Sequence, residues 1–536
     1  MIHHHDRRWG AGRMRVSIYL FREEVQDFGR LLREFPDGAR LPEQRDVTDG
    51  VELDCEIWVM PQDPKPPMWA KYVSPIVSVS DLKNSTASVA VFLKVDERFF
   101  AVCFGYAHSL LNGELLEPEF GLRVTANMAD PLKVAAMQVR TLSENSRQQR
   151  SQTANKTRVA EFDLEVEKEW LRYLKADVTD GVDWASGVGG SQSLSLTTSQ
   201  GLRDFPEILR ALLSEFHSDS YKAKFPYIDN FVPIPKGDPV REKLWGELIA
   251  AVENPQGKKV GVACPDDLVG ADVAYWKIFG DRKRREPIEE LTFENVVAQL
   301  GDFGENREKL KIIPLNSADA PIRTKRNLCD YFVFEMDFNG ETYALCLGQW
   351  FRIASDYVSE INKRVVEIED VTGSLNLPPW KGGREGDYNK AACKTQGHIH
   401  LDARNFMIGG PHQKVEVCDF LTRGYDFVCV KKMEDSATMS HLFSQAAVSA
   451  DLYSVNAVGQ GANAIGYADH VRSLYRAKWG APDGVEANRR MVLAIATDKP
   501  GPIAQSLYFF SKVNLVQRAM DLRKSGFKVG IAKIDR

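Results

Sequence analysis

The chain has 536 residues, of which 43% are hydrophobic and 27% are charged, and its formal net charge is −5. This composition is that of a globular protein and excludes a mostly disordered chain, a coiled coil and collagen-like repeats. At roughly 100–200 residues per domain, the length predicts two to four domains. No stretch approaches the roughly 18 apolar residues of a membrane helix, and the eight scattered cysteines form no C-x-x-C pair. We therefore expect a cytoplasmic protein with reduced thiols and no membrane partner.

The N-terminal part of the sequence predicts a mixed α/β domain over residues 14–252. Residues 1–13 include the run His3–His5 and have the character of a disordered or tag-like terminus. A strand of β-branched and aromatic residues begins at Met14, and a helix is expected over residues 23–34. Further strands are predicted over residues 52–60, 87–94 and 99–104.

Residues 139–158 are polar, with five basic residues against one acidic residue. Such a segment predicts a loop or an exposed helix. It acts either as a solvated linker or as a phosphate-contacting loop in which Arg147 and Arg150 bind nucleic acid. Residues 187–191 are rich in glycine, but no lysine follows as in a Walker A loop and no clear strand precedes them, so we expect no nucleotide binding there.

Two helices in the middle of the chain have clear signals. An apolar stripe at helical spacing covers residues 205–216. A second helix, ending at about residue 252, begins at Asp238-Pro239, because Asp caps a helix and Pro suits its first turn. The breaks that follow predict a connecting region over residues 253–327 and a C-terminal α/β domain over residues 328–536.

The C-terminal domain contains two recognisable local patterns. Asn339-Gly340 between two apolar runs predicts a β-hairpin, and a helix is expected over residues 356–366. Residues 491–534 have a strand–helix–strand pattern, which predicts a right-handed crossover between two parallel strands.

The densest group of candidate catalytic residues lies between residues 384 and 453. Residues 415–420 and 426–431 predict two hairpin strands, with Asp419 at the end of the first and Lys431 near the end of the second. Metal-dependent nucleases of the PD-(D/E)xK type are built in this way: an Asp and a second carboxylate hold Mg²⁺, and the Lys positions the attacking water. We therefore expect a restriction-endonuclease-like mixed sheet in the C-terminal half, with Mg²⁺ as its cofactor.

Two helical residues complete the predicted site, and one position departs from the pattern. Glu385 lies on a predicted helix before the hairpin, and Gln445 lies on the helix after it. Cys429 stands where an acidic residue is expected, and Cys is a poor ligand for Mg²⁺ because this ion prefers hard oxygen donors. Either Glu416, Glu385 or Asp402 supplies the second carboxylate, or the site is inactive.

Charge is unevenly distributed along the chain. Residues 469–536 contain 13 basic and six acidic residues, a balance of +7, so the rest of the chain carries −12. A basic surface there would attract phosphates, and its binding would weaken with salt; a set of solvated helix faces is the alternative. We take Lys432 and Lys512, together with Arg147 and Arg150, as the candidate nucleic-acid contacts.

Short motifs are spread along the chain: FGLRVTAN (120–127), RSQ (150–152), Glu385 with Tyr388-Asn389, EVCD (416–419), Val430-Lys431, SHLF (440–443) with Gln445, and FFSK (509–512). Together they resemble a family of bacterial proteins known for its sporadic distribution and its domain of unknown function. The match runs from about Met14 to the C terminus. The resemblance implies genes that move between strains, often near restriction and phage-defence loci, and it implies no particular activity.

Three functional hypotheses follow from the sequence. The first is an anti-phage enzyme that cleaves phage or host DNA or RNA with Mg²⁺. The second is a non-catalytic sensor or adaptor that binds nucleic acid and acts through a partner protein of a defence system or as a homo-oligomer. The third is a toxin with another chemistry, for which the sequence contains no motif.

Overall fold

In this computed structural model the chain forms two compact units. The first comprises the described residues up to Arg140 and Gln148–Asp229, and the second comprises Asn230–Arg536. The structure describes residues 13–35, 41–47, 52–61, 87–141, 148–162, 169–235, 237–254, 260–262, 264, 273–280, 285–317, 319, 321–322, 325–401, 405–407, 414–433, 436–458 and 465–536. The predicted tag-like terminus lies outside these residues except for Arg13, and the predicted domain boundaries stay predictions.

The first unit is built on a ten-stranded sheet. Its strands are β1 (Met14–Leu20), β2 (Glu43–Arg45), β3 (Cys55–Pro61), β4 (Ala87–Val95), β5 (Arg98–Phe104), β6 (Ala129–Thr141), β7 (Gln148–Thr157), β8 (Glu169–Val178), β9 (Gly187–Gly190) and β10 (Leu194–Thr198). Their order in the sheet is β2-β3-β4-β5-β1-β10-β9-β8-β6-β7. The helices are α1 (Phe120–Met128), α2 (Phe205–His217) and α3 (Tyr221–Lys224).

Apolar side chains hold α1 and α2 on one face of this sheet. Because side chains alternate along a strand, Ile18 of β1 and Leu196 of β10 point to that face, where they join one core with Phe120 of α1 and Leu209 of α2. The other face is covered over β4 and β5 by a second apolar cluster, which includes Phe92. On β8, β9 and β10, the face opposite the core with α1 and α2 carries mainly small and polar side chains.

The sequence predicts some elements of the first unit. The strands predicted from residues 52, 87 and 99 correspond to β3, β4 and β5, and the helix predicted over residues 205–216 corresponds to α2.

Two predictions in this unit are wrong. Residues 23–34 form no α-helix, because their backbone forms hydrogen bonds with residues 110–112. Arg33 N donates to Leu110 O, and Asn112 N donates to Leu31 O. Residues 148–157 form neither a loop nor a helix. They form strand β7, whose backbone pairs with β6 at the edge of the sheet.

The second unit contains several smaller sheets. Its strands are β11 (Phe231–Pro233), β12 (Val260–Val262), β13 (Tyr275–Phe279), β14 (Lys311–Leu315), β15 (Arg326–Asn327), β16 (Phe332–Phe338), β17 (Glu341–Cys346), β18 (Gln349–Ile353), β19 (Glu369–Asp370), β20 (Ile399–His400), β21 (Asn405–Met407), β22 (Lys414–Glu416), β23 (Phe420–Leu421), β24 (Asp426–Lys432), β25 (Arg490–Thr497) and β26 (Lys528–Asp535). Its helices are α4 (Pro239–Glu253), α5 (Phe293–Gln299), α6 (Phe303–Asn306), α7 (Ser355–Val366), α8 (Thr372–Leu375), α9 (Glu385–Gln396), α10 (Ser436–Ser454), α11 (Tyr467–Trp479), α12 (Ile503–Ser506) and α13 (Phe509–Lys524). The sheets have the orders β11-β18-β17-β16-β12, β13-β14-β15 and β19-β26-β25-β24-β23-β20, and β21 pairs with β22.

The six-stranded sheet is mixed, as predicted. Strands β24, β25, β26 and β19 are parallel to one another, whereas β23 is antiparallel to both β24 and β20. The predicted strand–helix–strand pattern corresponds to β25, α13 and β26. Val428, Val492 and Ala532 of the sheet share a core with Tyr388 and Ala392 of α9, so the sheet fixes the position of α9.

Two local predictions in this unit are confirmed, the helix start at Asp238-Pro239 and the turn at Asn339-Gly340, and one predicted strand is wrong. Helix α4 begins at Pro239, with Asp238 Oδ1 accepting a hydrogen bond from Val240 N at 2.9 Å. Strands β16 and β17 meet at Asn339-Gly340. The predicted strand over residues 415–420 is broken, since β22 pairs with β21 and only β23 pairs with β24.

Within the described parts of the chain, we find no helix with both the length and the apolarity that crossing a bilayer requires.

Candidate functional site

Asp419 lies directly before β23 and is held there by backbone and side-chain hydrogen bonds. Its backbone N donates to Val428 O at 3.0 Å, as strand pairing requires. Its Oδ2 then accepts from the backbone N of Val430 at 2.6 Å, and its Oδ1 accepts from Nδ2 of Asn389 at 2.7 Å. The carboxylate thus accepts the hydrogen bond that Val430 N would otherwise donate to a carbonyl of a neighbouring strand, which explains why the predicted strand breaks at this residue.

Lys431, near the end of β24, contacts Glu385. Lys431 Nζ and Glu385 Oε1 are 3.0 Å apart, and the two side chains are 28% and 34% exposed. Glu385 is the first residue of α9, where a carboxylate is also favoured by the helix dipole. Two carboxylates are therefore anchored at consecutive residues of β24, Asp419 at Val430 and Glu385 at Lys431.

Asn389 connects the helix to the hairpin. It lies one turn after Glu385 on α9, is fully buried, and donates to Asp419. In the described residues no hydrogen-bond donor reaches its Oδ1. The sequence prediction missed Asn389 because a neutral amide carries none of the signals of acid–base or metal chemistry, although it stands in the Tyr388-Asn389 motif.

Lys432 points to the opposite side of β24 from Lys431, as strand alternation requires. Its Nζ donates to Gly383 O at 3.1 Å and lies 4.7 Å from the ring centroid of Trp380. Trp380 is buried and stacks on Tyr388 with centroids 4.7 Å apart and planes at 11°. Lys432 therefore contacts the base of α9 and stands apart from the Lys431–Glu385 pair.

Cys429 occupies the position of the expected acidic residue. It is only 6% exposed, and its sulfur lies 3.9 Å from Met491 Sδ. A buried thiol is not a hard oxygen ligand, so a divalent cation of the Mg²⁺ type gains nothing from this side chain.

The remaining predicted residues of the site are spread more widely. Gln445 is exposed on α10, and the hydrogen bonds described above for Asp419 and Lys431 do not include it. Glu416 ends β22 in the separate β21–β22 pair, with its side chain outside the described residues. Asp402 also lies outside them. In the chain as described, no group of three or more His, Cys, Asp or Glu side chains is arranged to hold a metal ion.

The predicted nucleic-acid contacts belong to both units. Arg150 is exposed on β7 of the first unit, and Arg147 lies outside the described residues. Lys512 is half-buried in α13 of the second unit, where its Nζ donates to Asn362 Oδ1 at 2.7 Å. Burial lowers the pKa of Lys512, partly opposed by the nearby carboxylates of Asp337 and Glu335.

Some basic side chains of the C-terminal region form ion pairs. Arg490 Nε lies 2.9 Å from Asp426 Oδ1 and its NH1 lies 2.7 Å from Glu369, both acidic residues from earlier in the chain. Arg472 pairs with Glu486 at 2.8 Å and with Asp469 at 2.8 Å. The +7 balance of residues 469–536 is therefore spread over several elements and partly compensated.

A family model matches residues 16–535, nearly the whole chain, and is described as a family of unknown function, DUF6119. The chain belongs to the DUF6119 family. The extent of this match agrees with the resemblance seen from about Met14 to the C terminus. No curated protein and no solved structure is detectably similar to the chain. Membership in DUF6119 thus covers both units and carries no activity with it.

Proposed function

We propose that the second unit of this DUF6119 protein is a Mg²⁺-dependent nuclease that acts on DNA or RNA. The observation that carries the proposal is the 3.0 Å contact between Lys431 Nζ and Glu385 Oε1, next to the anchoring of Asp419 at Val430 N. Lys431 and Glu385 contact each other, and the carboxylate of Asp419 is anchored at the preceding residue of the same strand. This combination is what metal-assisted phosphodiester hydrolysis requires.

The residues present fit Mg²⁺ in number and type. Mg²⁺ in proteins is often held by one or two carboxylates and several waters. Asp419 and Glu385 would supply the carboxylates. Both oxygens of Asp419 already accept a hydrogen bond, but a carboxylate has about four lone-pair sites, so acceptor capacity remains. When bound, the ion would polarise the phosphate and lower the pKa of a water, and Lys431 would orient that water.

Cys429 favours a second candidate function, a non-catalytic nucleic-acid-binding unit. An acidic residue at this position would add a third carboxylate, and the buried thiol supplies none. In that case Lys431 binds a phosphate as a point charge. For either candidate we propose a role in anti-phage defence in the cytoplasm. The protein would act either as a homo-oligomer or together with a partner protein. That proposal is supported by the resemblance to genes near restriction and phage-defence loci.

Cleavage assays on the full chain test the first candidate. The substrates are plasmid DNA, single-stranded DNA and single-stranded RNA, each with Mg²⁺ and with EDTA. Lys431→Ala and Glu385→Gln are expected to lower cleavage by about 10²-fold or more, since each removes one charged group from the reacting centre. Lys390→Ala is the matched control, because Lys390 is an exposed lysine on the same helix, α9.

Asp419 is not the residue to change first. Its carboxylate accepts two hydrogen bonds that join β24 and α9. In Asp419→Asn the amide NH2 group would face one of these donors, so the hydrogen bond would be lost and the fold perturbed. Cleavage that is unchanged in both Lys431→Ala and Glu385→Gln contradicts the nuclease. Nucleic-acid binding that survives EDTA, with no cleavage of any substrate, supports the second candidate.

A further inference from the structure

The first unit has a trough of about 410 Å³ on one face of its ten-stranded sheet. The trough lies over β1, β10, β9 and β8, on the side opposite the core formed with α1 and α2. Its volume falls in the range of small-molecule binding sites. This surface belongs to a different unit from the Lys431–Glu385 pair.

The floor of the trough consists of small side chains placed by strand register. Thr197 of β10 pairs with Gly187 of β9, and Ser195 pairs with Gly189. A side chain at Gly187 would meet no atom closer than 3.9 Å, so the backbone of β9 is open there. At Gly189, by contrast, the hydroxyl of Tyr173 lies 2.8 Å from the position of a Cβ, so Tyr173 crosses the strand and bounds the trough. Glycine inside a strand often marks such a close approach.

Basic side chains stand on both sides of this floor. Arg15 of β1 and Arg13, directly before that strand, both line the trough, and Lys175 stands on β8 across the floor. Lys156 Nζ is paired with Asp177 at 2.6 Å. Within the part of the chain that the structure describes, no carboxylate pairs with Arg13, Arg15 or Lys175. Arg15 Nε donates instead to Ser195 Oγ at 2.5 Å.

We propose that this trough binds the phosphate of a nucleotide, either as a free nucleotide or as one unit of a single-stranded nucleic acid. Three cations that pair with no carboxylate in the described residues create a positive potential at this concave surface, which attracts a negative ligand. The planar guanidinium of Arg15 matches phosphate oxygens. The hydroxyl of Thr197 and the carboxylate of Asp177 are suitable partners for sugar hydroxyls. Gly187 has no side chain, so there is room above the strand for the planar base of a nucleotide.

The ligand class follows from the combination of these features. A carboxylate-rich peptide would satisfy the three cations, but it has no planar ring for the open floor at Gly187. The glycines here lie on an open strand and form no Walker A loop. Nucleotide binding at this surface therefore differs from the expectation that residues 187–191 bind none. The proposal does not depend on nuclease activity of the second unit.

Binding to the full chain tests the proposal with two probes, a fluorescently labelled dT12 oligonucleotide and unlabelled ATP as its competitor. Arg15→Ala combined with Lys175→Ala is expected to weaken dT12 binding about tenfold or more. The plot of log binding constant against log salt concentration should become less steep by about 1.4, since two phosphate contacts are lost. Gly187→Val is expected to weaken binding without a change of charge. Arg203→Ala is the matched control, because Arg203 is exposed and lies outside the trough.

The outcomes separate the ligand sources and the alternatives. Competition by ATP indicates a free nucleotide, and dT12 binding that ATP does not compete indicates a strand; both support the proposal if the trough variants weaken binding and Arg203→Ala does not. Binding unchanged in the Arg15→Ala/Lys175→Ala and Gly187→Val variants overturns it, as does the absence of binding by both probes. Displacement of dT12 by polyglutamate as effectively as by unlabelled dT12 also overturns it, since the trough then recognises only charge. Failure of the nuclease would instead appear as unchanged cleavage by Lys431→Ala.

Discussion

A single neutral residue, Asn389, positions the carboxylate of Asp419. It is fully buried in α9, and its Nδ2 lies 2.7 Å from Asp419 Oδ1. An amide donor orients a carboxylate without neutralising its charge. The charge of Asp419 thus remains available for a cation or for orienting other groups, while its geometry is fixed by α9.

Asn389→Asp is expected to destabilise the second unit by about 3 kcal/mol or more near pH 8, because it buries a second carboxylate against the first. Repulsion raises the pKa of one carboxyl in the folded form, so this loss of stability becomes smaller as the pH falls. Asn389→Ala should cost about 1–3 kcal/mol with little pH dependence. Thermal unfolding in EDTA near pH 5 and near pH 8 measures both effects, and equal pH dependence of the two variants would contradict this account.

Glu119 is a second residue whose surroundings determine its protonation. Burial raises the pKa of Glu119 to about 6, although the nearby guanidinium of Arg123 opposes the shift. The folded form therefore binds a proton more tightly than the unfolded chain, and stability falls as the pH rises from about 4.5 to about 6. The expected change is on the order of 2 kcal/mol.

The Glu119→Gln variant should lack this loss of stability across the same pH range. Thermal unfolding of the first unit at a series of pH values measures the effect. Glu207→Gln serves as the control, since Glu207 is exposed on α2. A pH profile identical to that of the unchanged protein would show that Glu119 does not cause the dependence.

Helix α1 approaches the β9–β10 connection more closely than a side chain would allow. A Cβ at Gly121 of α1 would stand 2.0 Å from the carbonyl oxygen of Ser193, and a Cβ at Gly190 would stand 1.8 Å from the carbonyl oxygen of Gly121. Both neighbours are backbone atoms, which cannot rotate away. The two glycines therefore set the distance between α1 and the sheet.

Gly121→Ala is expected to destabilise the first unit by about 3 kcal/mol, since the helix must move away from the sheet. The same substitution at Gly246 in α4 should stabilise the second unit by about 0.5–1 kcal/mol, because no atom lies within 4 Å of its Cβ position and Ala favours a helix interior. Chemical denaturation of both variants measures the two free energies. A shift of the same sign in both would refute the steric explanation.

Elements with strong local signals were predictable from the sequence. The cap at Asp238, the Asn339-Gly340 turn and the strand–helix–strand pattern after residue 490 each depend on neighbouring residues, and each corresponds to an observed element. Strand β7 was not predictable in this way, because polar edge residues acquire their conformation by pairing with β6. Distant pairing likewise keeps residues 23–34 from forming a helix.

The candidate site was predictable to a similar degree. The hairpin pattern predicts that Asp419 and Lys431 lie close together, and Asp419, directly before β23, is anchored at Val430 N beside Lys431. An upstream helical carboxylate was expected at Glu385, which contacts Lys431. Asn389 was missed because it gives no chemical signal of its own. The trough was missed because its cations come from β1 and β8, more than a hundred residues apart in the chain, and only strand pairing brings them to one face.

The distribution of the thiols is a property of the whole molecule. All eight cysteines are free; Cys55 and Cys264 are half-exposed, and the other six are buried. Burial raises the pKa of Cys103 and of Cys329 to about 12. Because the thiolate is the reactive form, buried thiols react slowly.

An aromatic disulfide reagent near pH 8 should therefore label two thiols quickly in the native protein and all eight cysteines in denaturant. Mass spectrometry should locate the fast labels at Cys55 and Cys264. Cys55→Ser should remove one fast label and leave the slow ones unchanged. Rapid labelling of Cys418 or Cys429 would contradict the buried position of the β23–β24 hairpin.

The register of β1 has a consequence for how the protein is made. Met14 pairs with Thr198 and Ile18 with Leu194, so the first strand of the unit completes its pairing with the last. During translation β1 has to wait for more than 170 residues before β10 leaves the ribosome, and such distant pairings form slowly. Until then one edge of β1 is open to pairing with other chains. Arg15 reaches Ser195 only after β10 has docked, so the trough is completed at the end of this assembly, and a nascent chain would have no affinity there for an anion.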